Sequence, residues 1–183
     1  MSERRIGFYR LLSQEDRFLM GALLVTDELG KPEEFRVTYP VKPTLIQRQL
    51  YGNSLISHVG VELCGLPLVE ALKQRPELIV VSQPQFLSMG DAVPATVVHL
   101  DRAGTTLVAS SASDESSTTR KVQSESGRFE PLLIAFPLSY KEEVRNAATA
   151  SVADFFRGFD LLEPFNRIAV ALRTLQESDE RFR

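Results

Sequence analysis

The chain has 183 residues, is 43% hydrophobic and 25% charged, and carries a formal net charge of −3. That is the composition of one globular domain with a good core, or of two small ones. The acidic balance excludes broad electrostatic adhesion to DNA, which needs a strongly basic face, but leaves room for a local basic patch.

Cys64 is the single cysteine, so no intrachain disulfide can form and a reducing cytoplasm is the expected compartment. The opening MSERRIGFYRLL has neither a long apolar run nor a small-residue cleavage site. No segment approaches the ~20 apolar residues of a membrane span. Neither an export signal nor a membrane partner is expected.

IGFYRLLSQ and RFLMGALLVTD read as strands with one or both faces buried, and ELGK around Gly30 as a turn. EFRVTYPV alternates, with Phe35, Val37 and Tyr39 on one face and Glu34, Arg36 and Thr38 on the other. Short connections make these three an antiparallel meander. Pro40 and Pro43 end the third strand, since neither donates to a ladder. Thr44 followed by Gln47 reads as a capping box that opens a helix, and Gly52 stops it. Leu55, Val59 and Leu63 continue at helical spacing to Gly65, and Pro67 opens a further turn. Thr44 to Gln74 is therefore a broken helix.

ELIVVSQ, Glu77 to Gln83, is an apolar run of strand length and reads as a buried, parallel strand. PATVVHLD and TTLVASSA, around Ala103-Gly104, form a hairpin. Ser110 to Gly127 is rich in Ser, Thr and charge, and its middle reads as a flexible insert. FEPLLIAFPL is a last strand, and the pattern from Lys141 onward is helical. The expected architecture is an α/β (or α+β) domain over residues 1–140. It holds a mixed sheet with an N-terminal antiparallel meander, a broken central helix, a buried strand and the insert near 110–127. A C-terminal helical extension covers 141–183.

The opening order strand-strand-strand-helix-strand resembles the start of the RNase H-like fold. A Tyr-Pro strand end, Tyr39-Pro40, before the helix and an apolar strand after it are similar to the endonuclease V branch of that superfamily. The resemblance implies carboxylates that hold divalent metal: one on the first strand, one on the helix, one at the end of the fourth strand. GFYRLLS has none, Glu62 stands for the helix carboxylate, and ELIVVSQ ends in Ser82 and Gln83 where an Asp is expected. One of three positions is filled, which does not support two-metal catalysis.

The remaining catalytic inventory is sparse. His58, His99 and Cys64 are far apart or set among apolar residues, and structural roles account for them. No nucleophile elbow, P-loop or dinucleotide glycine pattern occurs. No cofactor is expected, and the balance is against an enzyme. Arg36, Lys42, Thr44 and Arg48 form a candidate anion or nucleic-acid site at the helix start, although Thr44 and Gln47 already satisfy the free N–H groups there. Ser82, Gln83 and Gln85 lie past the carboxyl end of the buried strand, where ligands bind in open α/β sheets. A polar loop leaving the sheet is the plainer reading.

In the tail, Leu161, Phe165, Ile168, Leu172 and Leu175 step at the spacing of an a/d seam, and Phe155, Phe156 and Phe159 define a second apolar face. One face packs on the sheet; the other is expected to meet another protein chain. On this basis the expected function is a non-enzymatic cytosolic assembly subunit of a larger bacterial complex, or a homo-oligomer. The alternative is a nucleic-acid-acting protein with a degenerate RNase H-like core, using Arg36, Lys42 and Arg48. A small-ligand-binding domain comes third.

Overall fold

A computed structural model describes residues 4–14, 17–104 and 119–183. Its centre is set by two long strands, β1 (Ile6–Gln14) and β2 (Phe18–Thr26), which pair antiparallel from Ile6–Thr26 to Gln14–Phe18. All nine residues of β2 are buried. A strand with no polar face has to be covered on both sides.

The other strands are β3 (Pro32–Val37), β4 (Leu78–Val81), β5 (Thr96–Arg102), β6 (Thr119–Val122) and β7 (Leu132–Ala135). The sheet runs in the order β3-β2-β1-β4-β5-β7-β6. β4 lies parallel to β1 and to β5, as the apolar run from Leu78 to Val81 requires. β7 and β6 close that side antiparallel. The mixed sheet, the opening meander, the broken helix and the buried strand all agree with the sequence reading.

The period of two along each strand sorts the core into two faces. Tyr9, Leu11, Leu23, Ile79, Val81 and Val97 point to the face covered by the broken helix. That helix consists of α1 (Leu45–Tyr51), a 3₁₀ turn (Gly52–Ser54), α2 (Leu55–His58), a π-helical stretch (Val59–Gly65) and α3 (Leu66–Glu70). The π stretch lies very close to its neighbours. A Cβ on Gly60 would stand 2.3 Å from the Phe86 ring, and one on Gly65 would stand 2.7 Å from Met89 Sδ. From the sheet side, Gly21 meets Cys64 in the same way. The buried Tyr9 hydroxyl donates to the Gly60 carbonyl, so the sheet supplies a donor to the widened helix.

Ile6, Phe8, Met20, Leu24, Val80 and Leu100 point to the opposite face, where α4 (Glu142–Gly158) and α5 (Glu163–Ser178) lie. Phe8 sits edge-on to Phe165 at 5.8 Å and to Phe159 at 6.1 Å. Arg4 ties α4 to the start of β4: it pairs with Glu77 and Asp154 and lies over the Phe155 ring.

This packing corrects the reading of the tail. Phe155, Phe156, Leu161, Ile168 and Leu172 are at most 1% exposed, and Phe159, Phe165 and Leu175 pack against the same cluster. A sheet seven strands wide has room for both apolar faces, so the seam is core within one chain and needs no second chain to cover it. A second correction concerns the insert. Thr119–Val122 is a strand, β6, with Val122 buried and its backbone paired to β7. Residues 110–118 lie outside the described residues, as does the proposed hairpin mate of β5 from Thr105. The described partners of β5 are β4 and β7. Among the described residues no helix is long and apolar enough to cross a membrane.

Leu172→Ala should destabilise the fold by about 2–5 kcal/mol, the cost of a large-to-small change in a packed core. Denaturant unfolding followed by circular dichroism measures it. A cost below ~1 kcal/mol would mean that α5 is not part of the core.

Candidate functional site

The sheet loses its cover beside Arg10 in the middle of β1 and at the carboxyl ends of β4 and β5. There an open groove of about 490 Å³ is lined by Arg10, Ser82, Gln83, His99, Asp101 and the start of α5 at Leu162 and Phe165. The ladder register builds it. Tyr9 pairs with Val81, and Ser82 N–H donates to the Tyr9 carbonyl at 2.9 Å, which brings Ser82 beside Arg10. Ile6 and Phe8 on β1 and Leu78 and Val80 on β4 face α5. By the same alternation Arg10 and Ser82 face α5 as well.

Arg10 Nη1 donates to the Phe165 carbonyl at 3.0 Å, which fixes the guanidinium against α5. The Ser82 hydroxyl oxygen is buried and has no hydrogen-bond partner. His99 Nδ1 lies 2.9 Å from the Val81 carbonyl, so Nδ1 carries the proton and Nε2 is the free side of the ring. Asp101 alternates to the other face, and its carboxylate accepts from the Arg102 N–H at 3.1 Å.

A second, larger depression of about 720 Å³ opens further along the same helix. Among the described residues its lining includes Arg17 after β1, Lys42 before α1, Arg173 on α5 and Arg183, with Glu177 as the one carboxylate. Arg183 caps α5 by donating to the carbonyls of Gln176 and Glu177, both at 2.6 Å. Arg17 and Lys42 make no ion pair among the described residues, which do not include their neighbours Glu15 and Asp16. A chain of net charge −3 has gathered four cations in one basin.

The residues proposed from the sequence fall in separate places. Of Arg36, Lys42, Thr44 and Arg48, only Lys42 lines the basin. Thr44 and Gln47 form the capping box, at 3.2 and 2.9 Å, which occupies the groups an anion would use. Arg36 is held by Glu34 at 2.7 Å on the edge strand. Burial pushes the Glu34 carboxyl up, but the Gln74 and Lys73 N–H groups and Arg36 outweigh it and hold it below the usual range. Ser82 and Gln83 line the groove, while Gln85 stands outside it and donates to Gln83 at 2.6 Å. Arg10, Arg17, Arg173 and Arg183 escaped the sequence reading. Arg10 alone had a local signal, as the charged residue that breaks the apolar run of β1.

Glu62 does not line the groove; its exposed carboxylate pairs with His58 at 3.0 Å. Cys64 is wholly buried, and burial pushes its thiol pKa up, so it is no nucleophile. Among the described residues no three His, Cys, Asp or Glu side chains cluster to hold a metal ion. A groove lined by Arg10, Ser82 and Gln83, with Asp101 as its one carboxylate, does not fit a carboxylate-held metal pair.

No protein-family model matches the chain, and no curated protein does. Solved structures do. Human endonuclease V aligns over 96% of this chain and 86% of its own, with a TM-score of 0.53 at 11% identity. Its catalytic domain, in a cysteine-substituted form, aligns over 92% and 82% with a TM-score of 0.49 at 14% identity. Endonuclease V of Ciona intestinalis, in complex with a DNA containing inosine, aligns over 83% and 77% with a TM-score of 0.49 at 10% identity. The fold is thus RNase H-like, of the kind seen in endonuclease V. The expectation of a non-enzymatic assembly subunit is overturned. The apolar seam behind it is internal, and the solved structure that shares the fold is an endonuclease.

Because its folded-state pKa is lowered, the Glu34 carboxylate stabilises the fold above the ordinary carboxyl range, and that contribution fades as pH falls through the depressed value. Glu34→Gln should cost about 1–2 kcal/mol near neutral pH. The gap to wild type should close below a pH of about 4. Urea unfolding at a series of pH values tests this, and a gap that does not change with pH would refute it.

Proposed function

We propose that this is a nucleic-acid-acting protein whose RNase H-like core has lost most of the carboxylates for metal chemistry and engages the nucleic-acid backbone through fixed cations. The observation that carries the reading is the basin of Arg17, Lys42, Arg173 and Arg183 on an otherwise acidic molecule. Segregated positive charge is the electrostatic footprint of a polyanion partner. The basin and the edge groove share α5 as a wall: Phe165 lines one and Arg173 the other. Eight residues of helix span on the order of 12 Å. Successive phosphates of one strand rise about 3.4 Å along a duplex axis, so such a track reaches more than one of them. The likeness to human endonuclease V supports the choice of partner through the fold.

Fluorescence anisotropy with short labelled single-stranded and double-stranded DNA and RNA tests the reading. Binding should weaken steeply between about 50 and 200 mM salt. Reversing charge at Arg17, Lys42 and Arg173 together should weaken it at least about tenfold and flatten the salt slope. Binding that ignores both salt and these substitutions would refute the reading. Incubation with Mg²⁺ or Mn²⁺ separates engagement from hydrolysis: the donor set of the groove predicts an intact oligonucleotide. Cleavage that disappears in Glu62→Gln would instead mark a working nuclease site.

A further inference from the structure

We infer that Arg10 and Ser82 form a metal-independent seat for one backbone phosphate at the sheet edge. This rests on the nucleic-acid reading above and assigns a contact within it. The seat lies where β4 ends beside the middle of β1, on the two strands where the resemblance to metal-dependent enzymes calls for carboxylates. Here the β1 residue is a guanidinium and the β4 residue a hydroxyl. The charge at the site is reversed. A carboxylate pair attracts a cation, which in turn attracts phosphate; Arg10 attracts phosphate directly.

Three features make this a prepared site rather than a stray arginine. The Arg10 side chain is held by the Phe165 carbonyl through one nitrogen, so its fork is oriented before any ligand arrives and its other N–H groups remain for an acceptor. The Ser82 hydroxyl oxygen is buried without a partner beside it. A buried polar atom with no partner is unfavourable, and an arriving acceptor oxygen satisfies it. The groove is also poor in competing acceptors, since Asp101 alternates to the other face and already accepts from the Arg102 N–H. Gln83, exposed at the rim, adds an amide donor.

The test uses the full chain and a short labelled single strand, with wild-type binding measured with and without EDTA. EDTA should leave the affinity unchanged. Arg10→Gln should weaken binding about five- to twentyfold and lower the salt slope by about one counterion. Arg10→Lys, which keeps the charge and loses the fork, should fall between. Ser82→Ala should weaken it about two- to fivefold. If Arg10→Gln does not fold, Gln83→Glu replaces it, since it puts a carboxylate at an exposed position on the rim. It should weaken binding at least about fivefold. Loss of binding in EDTA overturns the inference. So does undiminished binding by these groove variants while the basin variants weaken it, a result that leaves the broader reading intact. If the wild type binds no nucleic acid at all, both fall together.

Discussion

The constraint on which this structure depends is the two-sided burial of β1 and β2. Strands without a polar face cannot sit at a surface, so the chain has to supply a helical layer on each side of the sheet. The broken helix between β3 and β4 covers one face, and α4 with α5 covers the other. Each large side chain buried this way contributes roughly 1.5–3 kcal/mol, which outweighs any preference of the tail for exposure. The close approach of the first layer follows from the same demand. Gly21, Gly60 and Gly65 are where a side chain would hold the helix away from the sheet.

Cover on both faces also decides where chemistry can occur. Along β1 the residues facing α5 run Ile6, Phe8, Arg10, Leu12, and along β4 they run Leu78 and Val80, with Ser82 just past its end. Arg10 and Ser82 lie at the same level of the two strands, where β4 ends, while Leu12 beyond Arg10 packs again into the core. α5 passes this edge with its first turns and reaches the basic basin with its last ones. One helix thus serves as core cover on its inner side and as the wall of a charged track at its rim. The arginines Arg10 and Arg173 both stand along this boundary.

How much of this the sequence disclosed depended on the range of the signal. β1, β2 and β4 were legible because an apolar run of strand length is a local feature, and the capping box at Thr44 and Gln47 was legible for the same reason. The π stretch was not, since Val59 to Gly65 has ordinary helical spacing and its widening answers to Tyr9 and Phe86, distant in sequence. The seam of the tail was read correctly as apolar and assigned the wrong cover. Spacing shows that a face is buried but not what buries it, and the breadth of the sheet is a long-range fact. The basin was illegible because Arg17, Lys42, Arg173 and Arg183 come from four segments. The thin carboxylate set was legible at once, because the identity of a residue needs no context.

An open sheet has two outer strands, and here both carry charge. β3 begins with Pro32 and continues Glu33, Glu34, Phe35, Arg36; β6 carries Arg120 and Lys121. Arg5 pairs with Glu33 and Arg120 with Glu142, so these charges are held in place at the margins. Bare backbone at a sheet margin invites strand addition from a second molecule, and proline and charged side chains discourage it. The wholly buried β2 lies one strand inside such a margin. The residues of β3 therefore act as gatekeepers that keep one of the most aggregation-prone sequences in the chain from templating fibrils.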